Sequence, residues 1–294
     1  MLCPRQCGVM RQERGGSKGF CGLPLLPGIC RAALHFGEEP NISGKSGSGA
    51  VFFSGCVLRC SYCQNHVISR KSCGKVVDAS ELANIFQDLQ TRGAHNINLV
   101  SPTPYVPVIV EALQRKPLRI PVVYNSSGYE RVETLRLLEG LVDIYLPDYK
   151  YQQPELALHY SGAADYPQKA QGAILEMYRQ VGLPQHDADG MMQKGLMVRH
   201  LILPGHTKNS IAALQWLAEV LPRGVYISLM AQYCPPVGVT LPLELQRQIT
   251  KREYSKVANA LLELGLEDGY FQKRSAASEE YLPEWDWLQK EKAR

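Results

Sequence analysis

The stretch AVFFSGCVLRCSYCQN, residues 50–65, places three cysteines directly after a run of apolar residues. AVFFSG has the pattern of a buried strand, and Cys56, Cys60 and Cys63 follow it on one short loop. Three thiolates there can each bind one iron of a cubane cluster, whereas full ligation by protein needs four cysteines. One iron would then stay open for a chelating small molecule, much as a catalytic zinc keeps an open position. A structural zinc is less well supported, because zinc knuckles favour two separate cysteine pairs.

Outward from this loop, strand-like and helix-like segments alternate along the chain. The predicted strands are 50–55, 95–100, 120–125, 141–147, 195–205 and 224–230. The predicted helices are 81–93, 104–116, 129–140, 154–181, 209–221 and 243–264. Strands separated by helices of this length imply right-handed crossovers and a parallel sheet. Six units are too few for a closed eight-stranded barrel, and the pattern alone leaves an open sheet and a partial barrel as alternatives.

The composition is that of a globular protein with an ordinary charge balance. Among 294 residues, 32 Lys+Arg against 28 Asp+Glu give a net charge of +4, and 45% of residues are hydrophobic. This excludes a disordered chain and argues against a dedicated nucleic-acid binder. The apolar runs are shorter than the roughly 20 residues that a membrane helix needs. MLCPRQCGVMRQER at the N-terminus also lacks the apolar core of a signal peptide. We therefore expect a cytoplasmic protein without a membrane span.

The triplet CxxxCxxC, with Tyr62 just before its last cysteine, resembles the signature of the radical S-adenosylmethionine (radical SAM) superfamily. Further segments resemble one branch of it, uncharacterised iron–sulfur proteins related to the pyruvate formate-lyase activating enzyme. These segments are CPRQCG (3–8), GFCG (19–22), HFGEEPNISGKSGSG (35–49), AHNINLVSPTPY (94–105), PVVYNSSGYE (121–130), VDIYLPDYKY (142–151), VRHLILPG (198–205) and SLMAQYCP (228–235). They span most of the chain, so the resemblance is broad.

This resemblance implies an α/β fold, a partial (β/α)6 radical SAM barrel with a Cys-rich N-terminal segment. The corresponding domains are residues 1–48, the Cys-rich segment, residues 49–270, the barrel, and residues 271–294, a C-terminal tail. The implied cofactors are a [4Fe-4S] cluster on the cysteine triplet and S-adenosylmethionine, which is reductively cleaved to a 5′-deoxyadenosyl radical that abstracts hydrogen from a substrate. The implied partners are a one-electron donor, flavodoxin or ferredoxin, and a glycyl-radical protein as one version of the substrate.

Polar residues at the ends of the predicted strands are the candidate contacts of the cofactor, because sites in such barrels gather there. They are Ser101, Thr103, Asn125, Ser127 and Asp148, together with Arg199 within the fifth predicted strand and Tyr62 in the cysteine loop. In the superfamily a Gly-Gly-Glu-like segment usually holds the amino group of the cofactor. Residues 101–104 read Ser-Pro-Thr-Pro at this place, so a contact from their hydroxyl groups would lack the charge of a glutamate. Strand alternation puts Arg199 and His200 on opposite faces, and at most one of them points inward.

The remaining cysteines allow a second metal site. Cys3, Cys7 and Cys21 lie in turn-forming segments, and the resemblance favours them over Cys30 as ligands of a second metal or cluster. Cys73 and Cys234 are interpreted as ordinary thiols.

Two other motifs receive ordinary structural interpretations. HFGEE (35–39) is interpreted as a loop contact, and GKSGSG (44–49) does not match a phosphate-binding loop because it precedes a strand. An alternative function stays open, a non-radical iron–sulfur electron carrier or binding protein.

Overall fold

The computed structural model describes residues 1–272, in which strands alternate with helices. The strands are β1 (Gly28–His35), β2 (Ser48–Phe53), β3 (Lys75–Val76), β4 (Ile97–Val100), β5 (Val122–Ser126), β6 (Ile144–Pro147), β7 (Gln185–His186), β8 (Met192–Leu201), β9 (Tyr226–Met230) and β10 (Gly269–Phe271). The helices are α1 (Pro40–Ser43), α2 (His66–Ser69), α3 (Ala79–Thr91), α4 (Val106–Arg115), α5 (Val132–Leu135), α6 (Pro154–Ser161), α7 (Tyr166–Val181), α8 (Thr207–Val220) and α9 (Lys251–Glu263). Of the predicted tail, residues 273–294 lie outside the described residues.

The strands form one sheet in the order β10-β9-β8-β6-β5-β4-β2-β1-β3, with β7 paired to β8. From β2 to β10 the neighbours in this order are parallel, and β1 and β3 extend the sheet antiparallel beyond β2. In the described chain the sheet has two ends and is not closed. The predicted partial α/β barrel is therefore confirmed.

The sheet is covered on both faces, which is why its central strands are nearly continuous apolar runs. The larger core cluster packs one face of the sheet against the helices, through side chains such as Tyr124, Phe86 and Ile109. A smaller cluster fills the inner face and includes Val123 and Ile144. Because side chains alternate along each strand, every second side chain points to the inner face of the sheet. This inner face leads to the polar residues at the carboxyl ends of the strands.

The helix predicted at 129–140 is much shorter in the structure. It consists of α5 and a 3-10 turn, Arg136–Leu138. Side-chain contacts hold the preceding residues in a loop, because the Tyr129 hydroxyl donates to the Asp165 carboxylate and Glu130 is buried against Thr103. The single helical segment predicted at 154–181 is two helices, separated where Gly162 adopts a left-handed conformation with φ of 57°.

The N-terminal region contributes to the same sheet. Residues 28–35, within the predicted Cys-rich segment, form β1, which pairs with β2 over most of its length. The boundaries predicted at 48/49 and 270/271 stay predictions. Among residues 1–272, each helix is too short or too polar to cross a lipid bilayer.

Candidate active site

Backbone hydrogen bonds align the carboxyl ends of the parallel strands. The Ser101 N–H donates to the Asn125 carbonyl at 2.9 Å, and the Asp148 N–H donates to the Ser126 carbonyl at 2.9 Å. Asp148 also forms a parallel bridge with Arg199 on the next strand. Four strands therefore end side by side, and the residues that follow them face one space, as in other barrels of this kind.

That space is a cavity of about 240 Å³. The sequence-predicted residues that line it are Cys56, Cys60, Tyr62, Cys63, Ser101, Asn125, Ser127, Asp148 and Arg199. Residues that lie outside that predicted set also line it, among them Glu38, Arg59, Lys150 and Gln232. The structure thus brings together the cysteine loop and the polar ends of several strands.

Thr103 is the predicted contact that does not line the cavity. Its hydroxyl donates to the Glu130 carboxylate at 2.6 Å, and the residue is buried. Ser101 adopts a left-handed backbone conformation, with φ of 60°, directly before the turn that Thr103 begins. This turn leaves Ser101 on the cavity and directs Thr103 into the protein.

The cysteine loop is held by an arginine within it. Arg59 has a left-handed backbone, with φ of 55°. Its guanidinium donates to the carbonyls of Phe20 at 2.8 Å and Arg70 at 3.0 Å. The Arg70 guanidinium in turn donates to the Ser61 carbonyl at 3.0 Å. These bonds fix the loop against the N-terminal region and against the segment that follows α2.

The donors around the cysteine sulfurs suit an iron–sulfur cluster. The Leu58 N–H lies 3.4 Å from the Cys56 Sγ, and the Ser69 hydroxyl donates to the Cys63 Sγ at 3.5 Å. The Arg59 Nε, which is buried, has no hydrogen-bond partner within residues 1–272. Sulfurs of such clusters accept hydrogen bonds of this kind.

Within residues 1–272, no group of three or more His, Cys, Asp or Glu is arranged to hold a single metal ion. In a cubane cluster each cysteine binds a different iron, so the three need not converge on one ion.

Burial opposes ionisation of two of the thiols, those of Cys56 and Cys63. It raises the pKa of Cys56 to about 12, although the backbone N–H groups of Arg59 and Leu58 act in the opposite direction. Burial raises the pKa of Cys63 as well. Because metals bind the thiolate form, a bound cluster has to supply the positive charge that stabilises these thiolates.

A lysine lines the same cavity as the cysteines. The Lys150 ammonium lies 2.6 Å from the Asp148 carboxylate, and both side chains are mostly buried. Burial lowers the pKa of Lys150, but the nearby Asp148 and Cys60 outweigh burial and raise it. Lys150 therefore keeps its positive charge in a position where it acts on the cysteine loop.

Arg199 is paired with two glutamates that precede the first parallel strand. Its Nε donates to Glu39 at 2.9 Å, and its Nη2 donates to both Glu38 and Glu39. The Asn98 amide donates to Glu38 at 2.8 Å. Burial raises the pKa of Glu39, but Arg199 outweighs burial and the pKa is lowered. The interpretation of HFGEE as a loop contact missed this network, because adjacent glutamates before a strand give no local signal of a partner 160 residues away.

His200, the neighbour of Arg199, points to the opposite side of the strand. Its Nδ1 lies 2.6 Å from the Tyr149 carbonyl, and the ring is fully buried. Burial lowers the pKa of His200 to about 4. The ring is therefore neutral at ordinary pH and belongs to the core, as strand alternation indicates.

The N-terminal cysteines lie elsewhere. Cys3, Cys7 and Cys21 line a second cavity of about 380 Å³ together with apolar residues such as Met10. The Phe20 N–H lies 3.2 Å from the Cys7 Sγ. A second metal at this place stays a prediction.

Comparison with known proteins agrees with this geometry. Residues 50–217 match the Radical SAM superfamily. The chain is 28% identical to an uncharacterized protein of Methanocaldococcus jannaschii, over 87% of this chain and 72% of that protein. It is 31% identical to the 7-carboxy-7-deazaguanine synthase of Methanothermobacter thermautotrophicus, but over only 38% of this chain and 42% of that protein.

A solved structure illustrates the likeness in fold. It is Streptococcus suis SuiB bound to S-adenosylmethionine, with a TM-score of 0.51 and 13% identity. The alignment covers 74% of this chain, but this chain spans only 48% of the length of SuiB. At this identity the likeness shows the fold alone. The family match extends over more than half of the chain and includes the cysteine loop and four of the strand ends. The chain belongs to the radical SAM superfamily.

Proposed function

We propose that this protein is a radical SAM enzyme that reductively cleaves S-adenosylmethionine and abstracts hydrogen from a substrate. One observation carries the proposal, the cavity that joins the three cysteines to polar residues at the ends of neighbouring strands. Cys56, Cys60 and Cys63 would hold the [4Fe-4S] cluster. Their number leaves one iron without a protein ligand, as binding of a small chelating cofactor requires.

The residues around the cavity offer complementary groups for several parts of S-adenosylmethionine. The Lys150 ammonium suits its carboxylate. The Glu38 and Asp148 carboxylates suit its cationic groups, and the Asn125 and Ser127 side chains can hydrogen-bond its ribose hydroxyls. Arg199 is engaged by both glutamates, so its role would be to hold Glu38 at the cavity.

When bound, the cluster and S-adenosylmethionine supply one-electron cleavage of a sulfonium–carbon bond and a 5′-deoxyadenosyl radical. The protein's own part is to position these groups and to exclude water. Tyr62 contributes to exclusion, because its buried ring lies at the cavity and packs edge-to-face against Tyr151, Tyr160 and Tyr233. Gln64 ties the cysteine loop to the strand end across the cavity, since its amide lies 3.3 Å from the Gln232 carbonyl.

A one-electron donor such as flavodoxin or ferredoxin is the partner that we propose. Residues 40–77, which include the cysteine loop, contain no Asp or Glu. Arg70 and Lys71 on this stretch are exposed. An acidic donor would therefore be attracted to the surface next to the cluster.

The substrate defines two versions of the proposal. In the first, as in the pyruvate formate-lyase activating enzyme, it is a backbone glycine of a glycyl-radical protein. In the second it is a small molecule or another peptide. Specific binding of a glycyl-radical enzyme in a pull-down would favour the first version, and its absence would favour the second.

The test is anaerobic reconstitution with iron and sulfide, followed by reduction in the presence of S-adenosylmethionine and assay for 5′-deoxyadenosine. We expect product from wild type and from Cys234→Ala, which removes a cysteine outside the triplet, and loss of product in Cys60→Ala. A loaded and reduced wild-type cluster that binds S-adenosylmethionine without cleaving it would contradict the enzyme and favour the electron carrier.

A further inference from the structure

Two cysteines outside the candidate active site face each other in the sheet. Cys30 lies in β1, and Cys73 lies in the turn before β3. Their Sγ atoms are 3.0 Å apart. A disulfide bond is about 2.05 Å long, so an approach of about 1 Å would join them. The sequence alone indicated an ordinary thiol at Cys73 and left Cys30 as the least favoured candidate ligand of a second metal.

Glycines on both sides of the pair allow this approach, Gly28 in β1 and Gly74 just before β3. A Cβ atom on Gly28 would lie 2.2 Å from the Cys73 carbonyl oxygen, and one on Gly74 would lie 2.3 Å from the Ile29 carbonyl oxygen. Side chains at either position would separate the two backbones. The antiparallel pairing of β1 with β3, from Gly28 opposite Val76, then places Cys30 and Cys73 next to each other.

The chain between the two cysteines contains the whole cysteine loop. The pair also adjoins the cavity, because Cys30 and Cys73 pack with Phe52 and Ile68, which line it. The Ile68 carbonyl accepts from the Gly55 N–H at 2.7 Å, just before the first cysteine of the triplet. A covalent link from 30 to 73 would therefore restrain the segment that carries the cluster ligands.

We propose that Cys30 and Cys73 are a site of reversible disulfide formation by exchange with a low-molecular-weight disulfide such as oxidised glutathione. Cys73 is the more exposed thiol. It loses its proton and attacks a glutathione sulfur, which releases one glutathione thiolate to take up that proton. Cys30 then loses its proton and displaces the second glutathione. Two protein thiols are oxidised to one disulfide, and one glutathione disulfide is reduced to two thiols. This chemistry does not depend on the proposed radical reaction.

The test uses the full chain with its cluster reconstituted, treated with oxidised glutathione and then alkylated. Trypsin releases residues 19–31, which contain Cys21 and Cys30, and residues 72–75, which contain Cys73. We expect these two peptides to be linked in the unreduced digest, with fragment spectra that place the bond at Cys30. The link should disappear after dithiothreitol.

Two variants and one internal control complete the test. The link should persist in Cys21→Ser, which alters the other cysteine of the same peptide, and should be lost in Cys30→Ser. The fragment spectrum of wild type decides the assignment even where Cys30→Ser folds poorly. Exposed Cys7 reports that the oxidant acted, because it should carry glutathione. Modified Cys7 without the 30–73 link, or a link through Cys21, would overturn the proposal.

Discussion

Replacing Glu130 with Gln should remove a pH-dependent loss of stability. The carboxyl group is buried and accepts hydrogen bonds from Thr103 at 2.6 Å and from the Tyr124 hydroxyl at 3.4 Å. Burial raises its pKa to about 7, against an ordinary value of 4.5, although the hydroxyl groups around it favour the ionised form. Glu130 also anchors the turn that follows Ser101, so its protonation state bears on the wall of the candidate active site.

The direction of the pH effect on stability follows from the raised pKa of Glu130. As pH rises above 4.5, the unfolded chain releases this proton, whereas the folded chain retains it until about pH 7. The folded state is therefore disfavoured progressively between these values. At about 1.4 kcal/mol for each unit of pKa, the full effect is ~3.5 kcal/mol, and about 2.5 kcal/mol of it falls between pH 5 and pH 8.

The assay is urea unfolding of the reduced, cluster-free protein, followed by circular dichroism at both pH values. The free energy of unfolding of wild type should fall by about 2.5 kcal/mol relative to Glu130→Gln on going from pH 5 to pH 8. Glu133→Gln is the matched control, because Glu133 lies three residues away and is exposed, so its removal should leave the pH dependence of wild type. A difference between wild type and Glu130→Gln that changes by less than about 1 kcal/mol over this range would refute the reasoning.

Three further substitutions test the site and its surroundings. Arg199→Lys should lower the free energy of unfolding by about 2–4 kcal/mol, because lysine cannot bind both glutamates and leaves the buried Glu39 carboxylate with fewer hydrogen bonds. Urea unfolding measures this change, and a loss below about 0.5 kcal/mol would contradict the pairing. On going from pH 7 to pH 4.5, the free energy of unfolding of wild type should fall by about 2 kcal/mol relative to His200→Asn, because the unfolded histidine takes up a proton near 6.5 and the buried one only near 4. Urea unfolding measures it, and a difference between the two proteins that changes by less than about 0.5 kcal/mol over this range would contradict the burial of the ring. Lys150→Met should weaken binding of S-adenosylmethionine to the reconstituted protein by roughly 10- to 100-fold, as expected for a lost charge-assisted hydrogen bond. Equilibrium dialysis measures the affinity, and an unchanged value would show that Lys150 does not contact the cofactor.

Matched controls exist for each of these variants. Arg115→Lys alters an arginine that pairs with Glu111 on an exposed helix face and should change stability by less than about 0.5 kcal/mol. His159→Asn alters an exposed histidine and should leave the acid dependence of stability as in wild type. Lys194→Met removes an exposed lysine away from the cavity and should not change cofactor affinity.

Local sequence determined the order of the barrel's elements and the location of the cysteine loop. Apolar runs such as those around Val122, Val123 and Ile144 favour buried strands, and helical connections between successive strands favour parallel pairing. Because site residues in such a sheet lie at or just after the carboxyl ends of the strands, Asn125, Asp148 and Arg199 could be selected from position alone. The family resemblance supplied the cofactors that the cysteine triplet by itself leaves open.

Tertiary structure decided which side chains meet. Glu38 lies between β1 and α1, in the segment that precedes β2. It reaches Arg199 only because the fold brings this segment next to β8, the fifth parallel strand of the sheet. Thr103 is directed away from the cavity by the left-handed backbone at Ser101, and Cys30 meets Cys73 through an antiparallel edge that periodicity did not reveal. The physical reason is common to these cases. Periodicity reports which face of its own element a residue occupies, whereas its neighbours depend on strand order, register and backbone approach across the whole sheet.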